Sequence, residues 1–326
     1  MKARSWQRRG IRMTMLATLA PGIAVAAPFP DAPIRIVLGI PVGASPDVVA
    51  RALAAEMSAS LGQAVVVENR PGAGGTLATS VVAAAAPDGY TLNASGCSAD
   101  AIVYSFVMSG RAPLDPFKDF TPVGQLMRDH WVVLVSPERG IDSLKQLAAV
   151  TRDAAQPLSF PSQGEGSSPH LQAERLARKL GFKALHVPYK DSPLTDLAAG
   201  RLDFAVQPSA ASQGLVKSGK LKALAVLSSE RLRSLPDVPT AAEAGLPDFT
   251  YNGGICLWAP GGTPKDVVAR LNVELNRAAK TPAVAARFEA LGVDPTPLSP
   301  EATTRTVAGM MADADELRTA VFGKSR

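Results

Sequence analysis

VVVENRPGAGG, from Val65 to Gly75, and PDGYTL, from Pro87 to Leu92, decide the reading of this chain. The first begins as a β-branched run that stops at Glu68 and enters a loop. There Pro71 fixes φ, while Gly72, Gly74 and Gly75 permit close packing or left-handed turns. An apolar run from Thr76 to Ala86 follows, then a Pro-Asp-Gly turn and a new strand at Tyr90. The order is strand, glycine loop, helix, turn, strand, which marks an α/β protein. The loop lacks the lysine that a phosphate loop requires, so its glycines read as structural.

Upstream, Ile34 to Ile40 is a continuous apolar strand that enters the loop Pro41-Val42-Gly43-Ala44. Ser45 is placed as N-cap with Pro46 opening a helix over Asp47 to Leu61 that stops at Gly62. Downstream of the strand Tyr90 to Ala94, Ser95-Gly96-Cys97-Ser98 makes another small-residue loop before a helical run. The design then repeats. The strand Trp131 to Ser136 leads to a helix near Ser143 to Ala149. The strand Leu158 to Phe160 enters Ser162-Gln163-Gly164-Glu165-Gly166-Ser167-Ser168, and Pro169 opens a helix that Gly181 closes. Strands at Ala184 to Val187 and Leu202 to Val206 flank a helix at Leu194 to Ala199. The strand Leu221 to Leu227 is expected to cross back toward the first half. Helices from Thr263-Pro264 to Ala279, from Pro282 and from Pro300 complete the chain. Such alternation predicts mostly parallel sheets with helices on both faces.

The N-terminus reads as an export leader: Lys2, Arg4, Arg8, Arg9 and Arg12 precede an apolar stretch, Met13 to Val25, with Ala24-Val25-Ala26 as the cleavage pattern. An ordinary Sec n-region fits better than a twin-arginine signal, whose pattern the residues after Arg8-Arg9 match only loosely. Five of the 34 Lys+Arg and none of the 29 Asp+Glu lie in the leader, which leaves 29 of each in the mature chain. A nucleic-acid or polybasic membrane role therefore loses its support. No later segment is long and apolar enough to span a bilayer, and about 300 residues suit two domains. Cys97 and Cys256 are far apart; an oxidising compartment permits their pairing, but nothing local requires it. His130, His170 and His186 lack metal-ligand spacing, so neither a metal nor a cofactor is expected.

In open α/β sheets ligands sit at loops that lead from strands into helices. Two such loops, Pro41 to Asp47 and Ser162 to Ser168, share a Gly/Ser composition and a Ser-Pro entry, and their N–H groups suit an anion. Catalysis has little to stand on: there is no nucleophile elbow, Walker loop or dinucleotide fingerprint. Glu68 and Arg70 read as a polar pair bracing the glycine loop, His170 as a helix-face histidine, and Asp203 as either a functional group or a turn residue.

Taken in order, a further series of strings resembles the Bug family, the extracytoplasmic solute-binding receptors of tripartite tricarboxylate transporters. They include Pro33-Ile34-Arg35, Asp47 with Ala50-Arg51, Asp119-Phe120-Thr121-Pro122-Val123 and Gly164-Glu165-Gly166-Ser167 with His170-Leu171. His186-Val187-Pro188-Tyr189-Lys190, Leu235-Pro236-Asp237-Val238-Pro239-Thr240, Ala244-Gly245-Leu246-Pro247 and Ala259-Pro260-Gly261-Gly262-Thr263-Pro264 continue it. The resemblance covers nearly all of the mature chain. It implies a type II-like periplasmic binding fold, α/β, with two lobes of mixed, mostly parallel sheets and a ligand cleft at the hinge. The lobes are expected at residues 27–128 with 229–326, and 129–228. It further implies a monomeric, non-enzymatic receptor for a small organic carboxylate, aromatic or dicarboxylate, working with membrane transporter subunits. A sensor kinase as the membrane partner is the first alternative and a periplasmic hydrolase the more distant one.

Ligand contacts are expected from Val42, Gly43, Ala44, Ser45 and Asp47 in the first loop, and from Gly96, Cys97, Ser98 and Asp100 after the third strand. The second lobe is expected to supply Ser162, Gly164, Gly166, Ser167, Asp191 and Gln207, and the returning strand Gly254. Several of these positions depart from the family pattern. Val42-Gly43-Ala44 replaces Pro-Gly-Gly; Ala99-Asp100 and Val103 replace a threonine-histidine pair and an asparagine; and Asp191-Ser192-Pro193 is a shortened loop. Gly254-Ile255 stands where an aromatic pair is common, so a wider pocket that favours bulky aromatic carboxylates is expected. Asp100 would repel a carboxylate unless protonated or turned away.

Overall fold

Strand, glycine loop, helix and strand follow one another as the opening strings require. The computed structural model describes residues 29–72, 75–97, 114–152, 157–251 and 253–322. Strand β1 (Ile34–Leu38) pairs in parallel with β2 (Val65–Asn69), and α1 (Ser45–Leu61) connects them. Helix α2 (Thr76–Ala83) then leads to β3 (Thr91–Gly96), parallel to β1 on its other side. β1 is apolar apart from Arg35, which pairs with Glu68, because most of both faces is covered. Ile34, Ile36 and Leu38 face one buried cluster, while Val37 faces another. The glycine loop is a packing device: a Cβ on Gly39 would stand 2.6 Å from the Cα of Gly75, so backbone meets backbone there.

Two long strands complete the first sheet. β4 (Phe120–Asp129) forms its edge, and β10 (Gly253–Pro260) inserts between β3 and β4, giving the order β2-β1-β3-β10-β4. After β4 the chain passes through the single residue His130 into β5 (Trp131–Val135), the centre of a second sheet. There β8 (Ala205–Pro208) and β9 (Lys222–Val226) flank β5, both antiparallel. β6 (Leu158–Ser162) and β7 (Ala184–Pro188) form a parallel pair. The approach to β8 is tied to β6 by the Asp203 and Phe204 N–H groups, which donate to Ser159 O. Helices α3 (Leu144–Arg152), α4 (Ser168–Leu180), α5 (Leu194–Ala198) and α6 (Ser209–Lys217) accompany this group. α7 (Lys265–Ala278), α8 (Pro282–Leu291) and α9 (Pro300–Phe322) follow β10.

The α/β class with mixed sheets holds, but strand-helix alternation overstated the parallel share. Among the described residues three strand pairings are parallel and four antiparallel. The antiparallel ones all involve β5 and β10, the strands that enter each sheet from the other half of the molecule. The expected crossing strand is also corrected. β9, within Leu221 to Leu227, stays with β5, and Leu232, Leu235, Val238, Leu246 and Phe249 are buried in the clusters of the second group. The return to the first sheet comes at Gly253. The strand expected at Leu202 to Val206 forms at Ala205–Pro208. The helical run after Ser98 lies outside the described residues.

Cys97 and Cys256 form a disulfide across 159 residues of sequence, with Cα atoms 4.9 Å apart. Strand pairing brings them together: Cys256 lies opposite Ser95, and the Cys97 N–H donates to Gly254 O. Both are fully buried with Val37, Ala78, Val82, Phe120, Trp258 and Val307.

Candidate functional site

The exit of β1 is shaped by one carboxylate. Asp47, only 2 % exposed, accepts the Gly43 N–H at 2.9 Å on Oδ2. Its Oδ1 accepts Arg51 Nε at 3.0 Å and Asn69 Nδ2 at 2.9 Å. Asn69 Nδ2 also donates to Ile40 O, so the exits of β1 and β2 are cross-braced. Burial alone would raise the Asp47 pKa; the bonds from Gly43, Arg51 and Asn69 outweigh it and hold it below the usual carboxylate range. Asp47 is therefore a brace whose oxygens are engaged, and the expectation that it contacts ligand is corrected. The N-cap is Ala44 rather than Ser45, because Ala44 is extended and Ser45 is already the first helical residue. Val42 projects into solvent, 72 % exposed, while Ala44 and Ser45 are half-buried at the helix entry.

The second loop is braced differently. Ser162 is fully buried; its Oγ lies 2.6 Å from His186 Nε2 and accepts the Gly164 N–H at 3.1 Å. Ser167 Oγ donates to Gly164 O at 2.6 Å. The Gly166 N–H donates to His170 Nδ1 at 3.0 Å, which fixes the proton of a neutral ring on Nε2. The His170 and His186 rings stack at 4.0 Å, and Phe160 lies against both. Burial, helped by the neighbouring His186, pushes His170 down to about 4. Burial also lowers His186, against an opposing pull from Glu165. The loop thus rests on two neutral imidazoles, and His186 is a functional support that the sequence showed only as part of a motif.

The remaining expected residues stand in different places. Gly96 and Cys97 stand at the exit of β3 beside β1, but the Cys97 side chain is committed to the buried disulfide and offers nothing to a ligand. Ser98 and Asp100 lie outside the described residues. Asp191 is exposed in the turn after β7. Gln207 ends β8 and is 3 % exposed with its Nε2 unpartnered. Asp203 proves structural: it accepts the Ser159 N–H and hydroxyl and pairs with Arg139 at 2.8 Å. Gly254 corrects the wide-pocket expectation. A Cβ there would meet Gln125 Nε2 at 2.3 Å and Met127 O at 2.7 Å. The space is filled by Gln125 from the neighbouring strand, so no cavity opens.

Both inner exits converge on the crossover at His130. The Cys97 N–H binds Gly254 O next to Gly253, a Cβ on which would meet Asp129 and Trp131. Pro208 pairs with Trp131, and the Ser209 N–H donates to His130 O at 2.7 Å. Neither Pro41–Asp47 nor Ser162–Ser168 contains a basic residue. The nearby Arg51 is held by Asp47 and Asn69. What these loops lead into are the N-termini of α1 and α4, whose partial positive charge suits an anion. Among the described residues no group of His, Cys, Asp and Glu is arranged to hold a metal, and no helix is long and apolar enough to cross a membrane.

Known proteins share this fold. The model of the tripartite tricarboxylate transporter family receptor matches residues 49–319. BugT of Bordetella pertussis is 35 % identical over 291 residues, 87 % of this chain and 89 % of that protein. The structure of the periplasmic binding protein BugD superposes with a TM-score of 0.80 at 31 % identity, covering 90 % of this chain and 98 % of that one. MatC from Rhodopseudomonas palustris, solved with bound malate, gives a TM-score of 0.79 at 32 % identity, covering 89 % and 99 %. With its fold, its paired strand-exit loops and these matches in agreement, the chain belongs to the tripartite tricarboxylate transporter receptor family, the Bug solute-binding proteins.

Proposed function

We propose that this protein is a periplasmic receptor, without enzymatic activity, that closes two lobes on a small organic carboxylate and delivers it to membrane transporter subunits. The observation that carries the reading is the pair of self-braced loops at the exits of β1 and β6, each of which leads into a helix N-terminus and carries no basic side chain of its own. Malate bound to MatC supports a carboxylate ligand. Charge-assisted bonds contribute roughly 1.5–3 kcal/mol each, so a few reach micromolar affinity after association costs.

In this reading one lobe comprises residues up to 129 with 253–326, and the other residues 131–251, hinged at His130 and near Gly253. The lobes open without ligand, and ligand favours closure through its higher affinity for the closed form. Residues 1–26 serve as a cleaved export leader, and the mature receptor works as a monomer. The test is calorimetric titration of the exported protein with malate, adipate and benzoate, beside glucose and choline as neutral and cationic controls. Binding of at least one carboxylate and neither control is expected. Binding confined to the controls would overturn the proposal.

A further inference from the structure

The second loop is held by two imidazoles that can do so only while neutral. His170 Nδ1 accepts the Gly166 N–H at 3.0 Å, and His186 Nε2 lies 2.6 Å from the Ser162 hydroxyl. The rings stack at 4.0 Å with 14° between their planes, and Phe160 and then Phe204 wall them in. A cationic His170 carries a proton on both nitrogens, so its Nδ1 can no longer accept from Gly166. It would also set a charge against a second imidazole in an apolar wall, which is costly. The surrounding charged groups are mostly engaged with one another. Glu165, in the loop itself, is the carboxylate that acts on His186. On α4, Glu174 lies under the influence of Arg178, and Arg175 bonds Thr250 O and Asp248 O. Asp203, beside Phe204, is held by Ser159 and Arg139. α9, packed on α4, brings Glu301 and Arg305, which attract each other.

We propose that the His170–His186 stack is an acid-sensitive latch: neutral, it holds the turn from Gly164 to Ser167 ready for ligand, and protonation of His170 frees Gly166 and weakens binding. This rests on the receptor reading above and adds regulation to that same site. Proton uptake fixes the direction. In an unlatched, solvated loop His170 titrates near its ordinary 6.5, whereas in the latched loop it is held at about 4. Unlatching therefore takes up a proton, and acid favours it. Between pH 7.5 and pH 5 those two values shift the equilibrium about 30-fold toward the unlatched loop. Only the latched fraction binds with full affinity, so the observed affinity falls with that fraction.

The test compares wild type with His170→Asn, whose side-chain oxygen replaces Nδ1 as an acceptor and does not titrate. Amide exchange at Gly166 is measured in ligand-free protein at pH 7.5 and pH 5 and divided by the intrinsic rate. Protection is expected to fall about 30-fold in wild type and less than about threefold in the variant. Calorimetric titration with malate at both pH values should show wild type losing at least about threefold more affinity than the variant. Malate's own protonation is common to both proteins and cancels. Magnetic resonance titration of the two rings in wild type needs no variant, and His170 should remain neutral at pH 5.5. A His170 ring that charges near its ordinary 6.5 would overturn the latch. So would Gly166 protection that is constant in wild type or falls equally in both proteins. A fall in wild-type protection alone, with equal affinity losses, overturns the coupling to ligand. If neither protein binds malate at either pH, the receptor reading suffers, while exchange at Gly166 still decides the latch.

Discussion

Replacing Cys97 and Cys256 together by alanine should destabilise the protein substantially, and the size of the loss follows from the length of chain the bridge closes. The crosslink spans 159 residues of sequence. The chain-entropy relation for a loop of that length gives about 17 cal/mol/K, or about 5 kcal/mol at 25 °C. Native-state strain and residual structure in the unfolded chain reduce such figures, so about 2–5 kcal/mol is expected. A mature chain of about 300 residues has an unfolding entropy near 0.6 kcal/mol/K, which converts that range into a fall in Tm of about 3–8 °C. Alanine suits the purpose because both positions are fully buried among apolar side chains. Scanning calorimetry of wild type, wild type with reductant, and the double variant checks the reasoning. Reductant should reproduce the variant's Tm in wild type and do nothing to the variant. In denaturant the variant should also show a larger m value, since its unfolded chain exposes more surface. A double variant within about 1 °C of oxidised wild type, with the same m value, would refute the entropic account.

Other expectations concern charge and close packing. Asp129 is buried beside Trp131 Nε1, and desolvation raises its pKa to about 6, against the hydrogen bond from Trp131. A carboxyl raised in the folded state stabilises below its unfolded value near 3.8 and loses that contribution as pH rises through about 6. Asp129→Asn should therefore raise Tm at pH 8 and leave it nearly unchanged at pH 4; a gain of up to about 3 kcal/mol is the ceiling. His170 has the opposite pattern: its folded value near 4 lies below the unfolded 6.5, so its neutral burial stabilises above pH 6.5 and fades between 6.5 and 4. His170→Phe should flatten the fall in stability across that window while loosening the loop at Gly166, read as faster amide exchange there. Asp47→Ala should cost about 1–3 kcal/mol, since it removes the acceptor of the Gly43 N–H and leaves Arg51 without its carboxylate. Urea titration measures that, and a change under 0.5 kcal/mol would refute the brace. Gly254→Ala should cost about 1–3 kcal/mol through overlap with Gln125 Nε2, and pairing it with Gln125→Ala should recover part of the loss in a double-mutant cycle.

What the sequence made legible was local. The mostly apolar strand β1, the close-packed Gly75 and the Gly/Ser loops before Pro46 and Pro169 each carry their structure in neighbouring residues, and they appear where expected. What it concealed depends on partners distant in sequence. Nothing near Cys97 specifies that β10 will insert beside β3, so neither the disulfide nor the antiparallel share of the sheets could be read. Gly254 suggested empty space by its missing side chain, yet the volume belongs to Gln125 on another strand. Asp47 looked like a ligand group because it sits in the right loop; only its three bonds reveal that the loop uses it. His186 reaches Ser162 across the β6–β7 pair, a contact no spacing rule encodes.

The way the two loops are braced also bears on how this protein can change over time. Gly43, Gly164 and Gly166 have their N–H groups held from behind, by Asp47, Ser162 and His170. Val42 and Gln163, which project from the same loops, are exposed and brace neither one. The supporting residues and the solvent-facing residues of each loop are thus different ones. Mutations at the outward positions can explore new ligands without unravelling the loops, whereas changes at the supporting positions are purged through lost stability whatever the ligand. Divergent specificity on a constant frame is the evolutionary consequence, and the departure at Val42-Gly43-Ala44 is where this chain shows it.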